Sequence, residues 1–118
     1  MKIIIAGSRF IDNFQLICDA VKESRFNITE VISGCANGVD SLGEQWALQN
    51  NIQIKKFPAD WTRFGKNAGP IRNQLMIDYV GKDGGLIIIW NGKSKGSANI
   101  LKQAKGKEIQ IYEKIINI

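Results

Sequence analysis

Apolar residues along this chain fall into short continuous runs that alternate with stretches of helical spacing. Lys2 to Ala6 is a β-branched run stopped by Gly7-Ser8-Arg9, the pattern of a strand buried on both faces of a parallel sheet. Asp12 stands where an N-cap would, and Phe14, Ile17, Ala20, Val21 and Ser24 follow at helical spacing to about Arg25. Thr29 to Ser33 reads as a second strand. After the turn that follows it, Val39, Leu42, Trp46 and Ala47 set an apolar stripe on a helix ending near Asn50-Asn51, and Ile52 to Phe57 gives a third strand. Pro58 to Gly69 is the longest stretch without clear periodicity, and Pro70 suits the first turn of the next helix. On that helix Ile71, Leu75, Met76, Tyr79 and Val80 are expected toward the core, with Arg72 and Asn73 on the opposite side. Leu86 to Trp90, after the turn Gly81 to Gly85, is the most apolar strand and is expected to be central. Asn91 to Ser97 turns the chain into a helix from about Ala98 to Lys105, capped by Gly106, and Glu108 to Tyr112 makes a fifth strand. The tail Glu113 to Ile118 either extends that strand or packs against a second subunit.

Strands alternating with helices at this spacing imply βαβ units, right-handed crossovers and an α/β fold with a mainly parallel five-stranded sheet. The 118 residues suit one domain, 1–118, with no repeat or linker. In such sheets ligands bind beyond the carboxyl ends of the strands, near the reversal of strand order. Gly7 to Arg9, Gly34 to Asp40, Ala59 to Asn73 and Asn91 to Ser97 all follow strands, so they are expected to share one edge.

Composition narrows the chemistry. There is no His, which excludes imidazole catalysis and His-ligated metals, and Cys18 and Cys35 lack the spacing of a metal site or disulfide framework. Neither metal nor cofactor is expected. No apolar run approaches a membrane span, and the first strand is too short and too soon broken for a signal peptide, so a cytoplasmic protein without a membrane partner is expected. The net charge of +5, with an excess of Lys toward the C-terminus, suits an anionic partner: a phosphorylated small ligand or, less favoured, nucleic acid.

Three loops carry groups that suit an anion. Gly7-Ser8-Arg9 offers close backbone approach, a hydroxyl and a guanidinium, without the spacing GxGxxG. Gly34-Cys35-Ala36-Asn37-Gly38-Val39-Asp40 is either a phosphate cradle at a helix N-terminus or a tight connection with Asp40 as N-cap. Asn91-Gly92-Lys93-Ser94-Lys95-Gly96-Ser97 has the content of a phosphate loop but not the spacing GxxxxGK[ST]. Arg63, Lys66 and Arg72 add cationic reach, and Trp61 and Phe64 either stack on a base or pin the loop. For acid–base work the candidates are Asp40, Asp60 and, further off, Asp12, each of which also has a cap or turn reading.

Taken together, Gly7-Ser8-Arg9, Ser33 to Asp40, Phe57-Pro58-Ala59-Asp60-Trp61, Gly69-Pro70-Ile71-Arg72-Asn73 and Gly92 to Asn99 resemble the YspA/YpsA-related branch of the SLOG superfamily. The resemblance implies a Rossmann-like, three-layer α/β/α domain that binds a nucleotide or nucleotide-derived ligand, phosphate- or ADP-ribose-containing. It also implies kinship with the lonely-guy phosphoribohydrolases and the DNA-binding DprA proteins, and an enzyme, sensor or sequesterer that forms a homodimer or larger assembly. On this footing Gly34, Cys35, Ala36, Asn37 and Gly38, with Gly92, Ser94, Gly96 and Ser97, hold phosphates. Gly7, Ser8, Arg9, Arg72 and Asn91 line the site, Trp61 or Phe64 stacks on the base, and Asp40, Asp60 and Asn73 meet ribose or base edges. Two departures bear on activity. The acid of the lonely-guy pattern PGGxGTxxE is absent, with Asn99, Ile100 and Leu101 in its place, and Ser33-Gly34 replaces the usual Gly-Gly. A binding role without turnover is therefore expected ahead of N-glycosidic hydrolysis.

Overall fold

In a computed structural model describing residues 1–117, the five apolar runs form one sheet in the order β3-β2-β1-β4-β5, every neighbouring pair parallel. The strands are β1 (Lys2–Gly7), β2 (Glu30–Ser33), β3 (Gln53–Lys56), β4 (Gly85–Trp90) and β5 (Gln110–Ile115). The helices are α1 (Phe14–Ser24), α2 (Val39–Gln49), α3 (Trp61–Phe64), α4 (Ala68–Val80) and α5 (Lys95–Gly106), with a single 3₁₀ turn, Gly65–Asn67, between α3 and α4.

Alternation along β1 and β4 divides the interior. Ile3, Ile5, Ile87 and Ile89 pack with Ile17 and Ala20 of α1 and Val39 and Ala47 of α2. Ile4, Ala6, Leu86 and Ile88 pack with Met76, Ile77 and Val80 of α4 and Ile100, Leu101 and Ala104 of α5. The result is the three-layer α/β/α arrangement of a Rossmann-like fold. β4 is buried along its whole length, as its composition requires, but β1 is the middle strand. Strand order reverses between them, because the connection from β3 carries the chain across to the far side of β1.

That junction is unusually close. A Cβ on Gly7 would fall inside the Ile89 carbonyl group, and the Ser8 N–H donates to the same Ile89 oxygen at 3.0 Å. The Ser8 carbonyl in turn accepts the Val39 N–H, the first amide of α2, at 3.1 Å. Gly38, at φ +75°, lies against the Ser8–Arg9 backbone with no room for a side chain. One glycine contact thus sets β1 against β4, and the next seats the start of α2 beneath the turn after β1.

Several boundaries differ from the sequence reading. Asn13, not Asp12, caps α1, its Oδ1 accepting the Gln15 N–H at 3.0 Å. Gly38 is the N-cap residue of α2, and Asp40 lies inside the first turn. α5 starts at Lys95, three residues before expectation, because Ser94 already has the extended backbone of an N-cap; Gly96 and Ser97 are helical. Its C-cap is Lys107, so Gly106 closes the helix from within. On α4, Ile77 and Asn73 are buried and Leu75 is exposed, because the helix is rotated to bring Asn73 inward against α5. The tail extends β5 to Ile115; Ile118, the last of its apolar residues, lies outside the described residues. No helix among the described residues is long and apolar enough to cross a membrane.

Gly7→Ala is expected to destabilise the protein by at least about 2 kcal/mol in urea titration, since backbone rather than a yielding side chain occupies the space.

Candidate functional site

The loops after β1, β2, β3 and β4 converge on one edge of the sheet, where they enclose a cavity of about 590 Å³ above the β1/β4 reversal. Ala6, Met76 and Ile100 give it an apolar floor. Among the described residues five cationic side chains line it, Arg9, Lys66, Arg72, Lys93 and Lys95, against a single carboxylate, Asp40.

One wall is the start of α5. The Asn91 carboxamide oxygen accepts the N–H groups of Lys93 at 2.9 Å and Ser94 at 3.2 Å, an Asx-type turn that needs the left-handed backbone of Gly92 at φ +80°. This turn delivers Ser94 as the N-cap, but its side chain makes no capping bond. The N–H groups of Lys95, Gly96 and Ser97 therefore have no acceptor among the described residues and open on the cavity, where the helix dipole adds positive potential. A Cβ on Gly96 would meet nothing within 4 Å.

The opposite wall is a polar chain reaching from β2 to α5. Arg72 Nη1 donates to the Gly34 carbonyl, and Arg72 Nε donates to Asn73 Oδ1 at 2.8 Å. Asn73 Nδ2 donates to Asn99 Oδ1 at 2.9 Å. Each group orients the next, so the carboxamide of Asn99 is left with its N–H groups unclaimed. A Cβ on Gly34 would lie 2.7 Å from Arg72 Nη1 and 2.8 Å from Asp40 Oδ2, so glycine there lets guanidinium and carboxylate close up behind the turn.

Asp40 is 5% exposed. Burial pushes its pKa up to about 6, although the Ala36 and Gly7 N–H groups and Arg72 oppose the shift. Desolvation also lowers the pKa of Arg72, with Asp40 acting against it. The carboxyl is thus ionised at neutral pH but within reach of protonation.

Most of the expected residues meet here. Gly7, Ser8, Arg9, Ala36, Asp40, Trp61, Arg72, Asn73, Asn91, Ser94, Gly96 and Ser97 line the main cavity. Gly34, Cys35 and Asn37 line a neighbouring one of about 320 Å³. Six others, Arg63 among them, line neither. Gly38 and Gly92 shape their turns, Asp60 caps α3 through the Arg63 N–H at 3.1 Å, Phe64 lies under the Arg63 guanidinium at 4.9 Å, and Asp12 is exposed beside the cap of α1. Trp61 lines both cavities with its indole edge beside Gly69.

Sequence reading missed Phe10, 87% exposed at the cavity mouth, and the inward role of Asn99. It also missed Glu44, which accepts the Ser33 hydroxyl at 2.5 Å and pairs with Lys56 at 3.4 Å. Only Glu44 carried a local signal, since it follows Asp40 by one helical turn.

A family model, YAcAr, described as the YspA, cpYpsA-related SLOG family, matches residues 1–64. Among curated proteins, the Gene 61 protein of Mycobacterium phage D29 is similar, with 28% identity over 119 residues, covering 93% of this chain and 93% of that protein. No solved structure matches.

The raised Asp40 pKa fixes a sign. Between about pH 4 and pH 6 the folded chain holds a proton that the unfolded chain releases, so this group's contribution falls as pH rises through that window. The total change is at most about 3 kcal/mol. Urea titrations at pH 4.5 and 7.5 should show Asp40→Asn relatively more stable than the parent at the higher pH, with the difference shrinking at the lower.

Proposed function

The chain belongs to the YspA, cpYpsA-related SLOG family, and we propose that it binds a phosphate-bearing nucleotide in the cavity above the β1/β4 reversal. Family membership suggests a nucleotide-related ligand-binding role, and the site geometry supports a more definite version of it. The observation that carries the reading is the start of α5: three adjacent N–H groups without acceptors among the described residues, beside a cavity that those residues line with five cations and one carboxylate. A phosphate there accepts charge-assisted hydrogen bonds from preorganised donors.

The remaining walls suit the rest of a nucleotide. The apolar floor of Ala6, Met76 and Ile100 and the exposed faces of Trp61 and Phe10 accept a base, and Asn73, Asn99 and Asp40 offer hydrogen bonds to ribose or base edges. Of the two turns expected to hold phosphates, we assign the role to the start of α5, because the Cys35, Ala36 and Val39 N–H groups of the other donate to Ser33 Oγ, Asp40 and the Ser8 carbonyl. The matched family segment ends at residue 64, so it does not cover Arg72, Asn73 or the start of α5, which enter this reading through their sequence motifs and the geometry of the cavity.

A second reading keeps an observation of its own. Asp40 is a buried acid within the cavity, with its pKa raised to about 6, and such a group can protonate a leaving base. Ile100 lies at the cavity floor where the lonely-guy pattern calls for an acid nearby, which favours binding without turnover. Incubation with nucleoside monophosphates followed by chromatography decides the matter: intact nucleotide is expected, and released base would establish the hydrolase instead.

Gly96→Asp separates site from fold. A carboxylate in the first turn of α5 favours the helix by about 0.3–1 kcal/mol, while its charge occupies the phosphate position. Thermal melting should show stability kept or raised. Calorimetric titration with the monophosphates of adenosine, guanosine, cytidine and uridine should show binding by the parent that weakens by roughly 30-fold or more in the variant. Unchanged affinity would remove α5 from the site.

A further inference from the structure

The apolar floor of the main cavity and its polar wall adjoin each other. Met76 follows Asn73 by one turn of α4, and Ile100 follows Asn99 directly on α5, so the two carboxamides stand along the rim of the surface that Ala6, Met76 and Ile100 form. A planar base lying on that floor of the groove turns one edge toward them. The direction of the hydrogen bonds in the wall decides which edge fits.

That direction is fixed from one end. A guanidinium can only donate, so Arg72 Nε requires the oxygen of Asn73 to face it. With Oδ1 so placed, the amino group of Asn73 points to α5, where it requires the oxygen of Asn99. Asn73 is 5% exposed and has both ends of its carboxamide engaged. Asn99 is half-buried, lines the cavity and ends the chain with its Nδ2 N–H groups free of any acceptor among the described residues. The rim beside the floor therefore donates. Asp40 does not reverse this, because it stands at the other end of the chain, against Gly34 and Arg72, and already accepts the Ala36 N–H at 3.3 Å.

A base meets such a donor well where it carries a carbonyl oxygen and badly where it carries an exocyclic amino group. Guanine and hypoxanthine present O6 with N7 beside it, and uracil presents O4, whereas adenine and cytosine hold an amino donor at the same positions. Two donors set face to face leave desolvated N–H groups without a partner.

We propose that Asn99 is a specificity-determining residue, that Asn73 is a positioning residue holding it donor-outward, and that the ligand is a nucleotide of a carbonyl-bearing base, a 6-oxopurine or uracil, rather than of adenine or cytosine. This rests on the nucleotide reading above and narrows it to one class of base.

Calorimetric titration of the full chain with two matched pairs tests it: inosine against adenosine monophosphate, and uridine against cytidine monophosphate. For the ring size that the cavity accepts, the carbonyl member should bind roughly tenfold more tightly. Asn99→Asp keeps one acceptor for Asn73 and turns another to the ligand, so the preference should reverse. Asn73→Asp acts without touching the ligand: it still accepts from Arg72 but offers Asn99 no donor, so Asn99 turns its amino group back and presents its oxygen, and the preference should reverse again. The ratio within each pair is the quantity compared, since a general loss of affinity from the added charge cancels in it. Equal binding within both pairs by the parent, or a preference for the amino members, overturns the proposal and leaves nucleotide binding standing. A carbonyl preference that survives Asn99→Asp overturns the role of Asn99, and one that survives only Asn73→Asp overturns the positioning role. Failure of all four nucleotides to bind overturns the nucleotide reading and this one with it.

Discussion

The closest constraint in this molecule is the seating of Gly7 on the Ile89 carbonyl, where only a residue without a side chain allows β1 and β4 to pair at their full register. The loop leaving β1 begins at that point. Because the Ser8 N–H and carbonyl go to Ile89 and Val39, the same residue ties the ends of β1 and β4 to the start of α2. Three of the four loops around the groove are thus placed relative to one another by backbone hydrogen bonds, before any side chain is considered. Rigidity of this kind is what an anion site needs, since donors held in place incur no ordering cost when the ligand arrives.

The fourth loop is placed differently. The backbone ties the segment between β3 and α4 to its neighbours only at its start, where the Phe57 N–H donates to the Ser33 carbonyl at 2.8 Å, and its far end relies on Arg72 of α4 gripping the Gly34 carbonyl. Arg72 can lie half-buried there because Asp40 is close enough to offset its charge, and Asp40 stays ionised at neutral pH for the same reason. Neither group is well placed alone: an unpaired charge at that depth is costly. The Arg72–Gly34 hydrogen bond therefore couples the turn after β2 to α4, with Asp40 of α2 offsetting the guanidinium's charge.

The strands and their parallel arrangement were legible because β-branched runs bounded by glycine and polar turns have few other uses, and the convergence of four loops on one edge followed from topology. α3 was not legible, since four residues cannot display a period, though Asp60 was visible as a turn former. The early start of α5 was hidden by Gly96 and Ser97, poor helix formers whose placement is decided by the Ser94 backbone. The rotation of α4 was misjudged because Asn73 and Leu75 follow the rule of polar out and apolar in only when no neighbour competes. Here Asn99, 26 residues later, claims the Asn73 carboxamide and turns Leu75 toward solvent. Gly38 and Gly92, expected in phosphate cradles, each serve their own turn: Gly38 has no room for a side chain, and both need left-handed backbone. Phe10 and Asn99 reach the groove through contacts between distant segments, which no local pattern encodes.

The pairing of Ile3 with Gly85 also bears on how the molecule is assembled in time. A sheet that is parallel throughout contains no hairpin, so no two strands can pair by closing a short turn. The middle strand must wait for a partner some 80 residues downstream, and the loop-closure entropy of that search comes due before its burial is gained. During synthesis β1 can pair with β2 and α1 and α2 can dock, but the β4 side of β1 stays open until Gly85 to Trp90 has emerged. The cavity is therefore a late product of folding: two of its three floor residues, Met76 and Ile100, its α5 wall and the Asn73–Asn99 carboxamide pair all come from the last half of the chain. A nascent or truncated molecule can hold the first βαβ units and still present no ligand site.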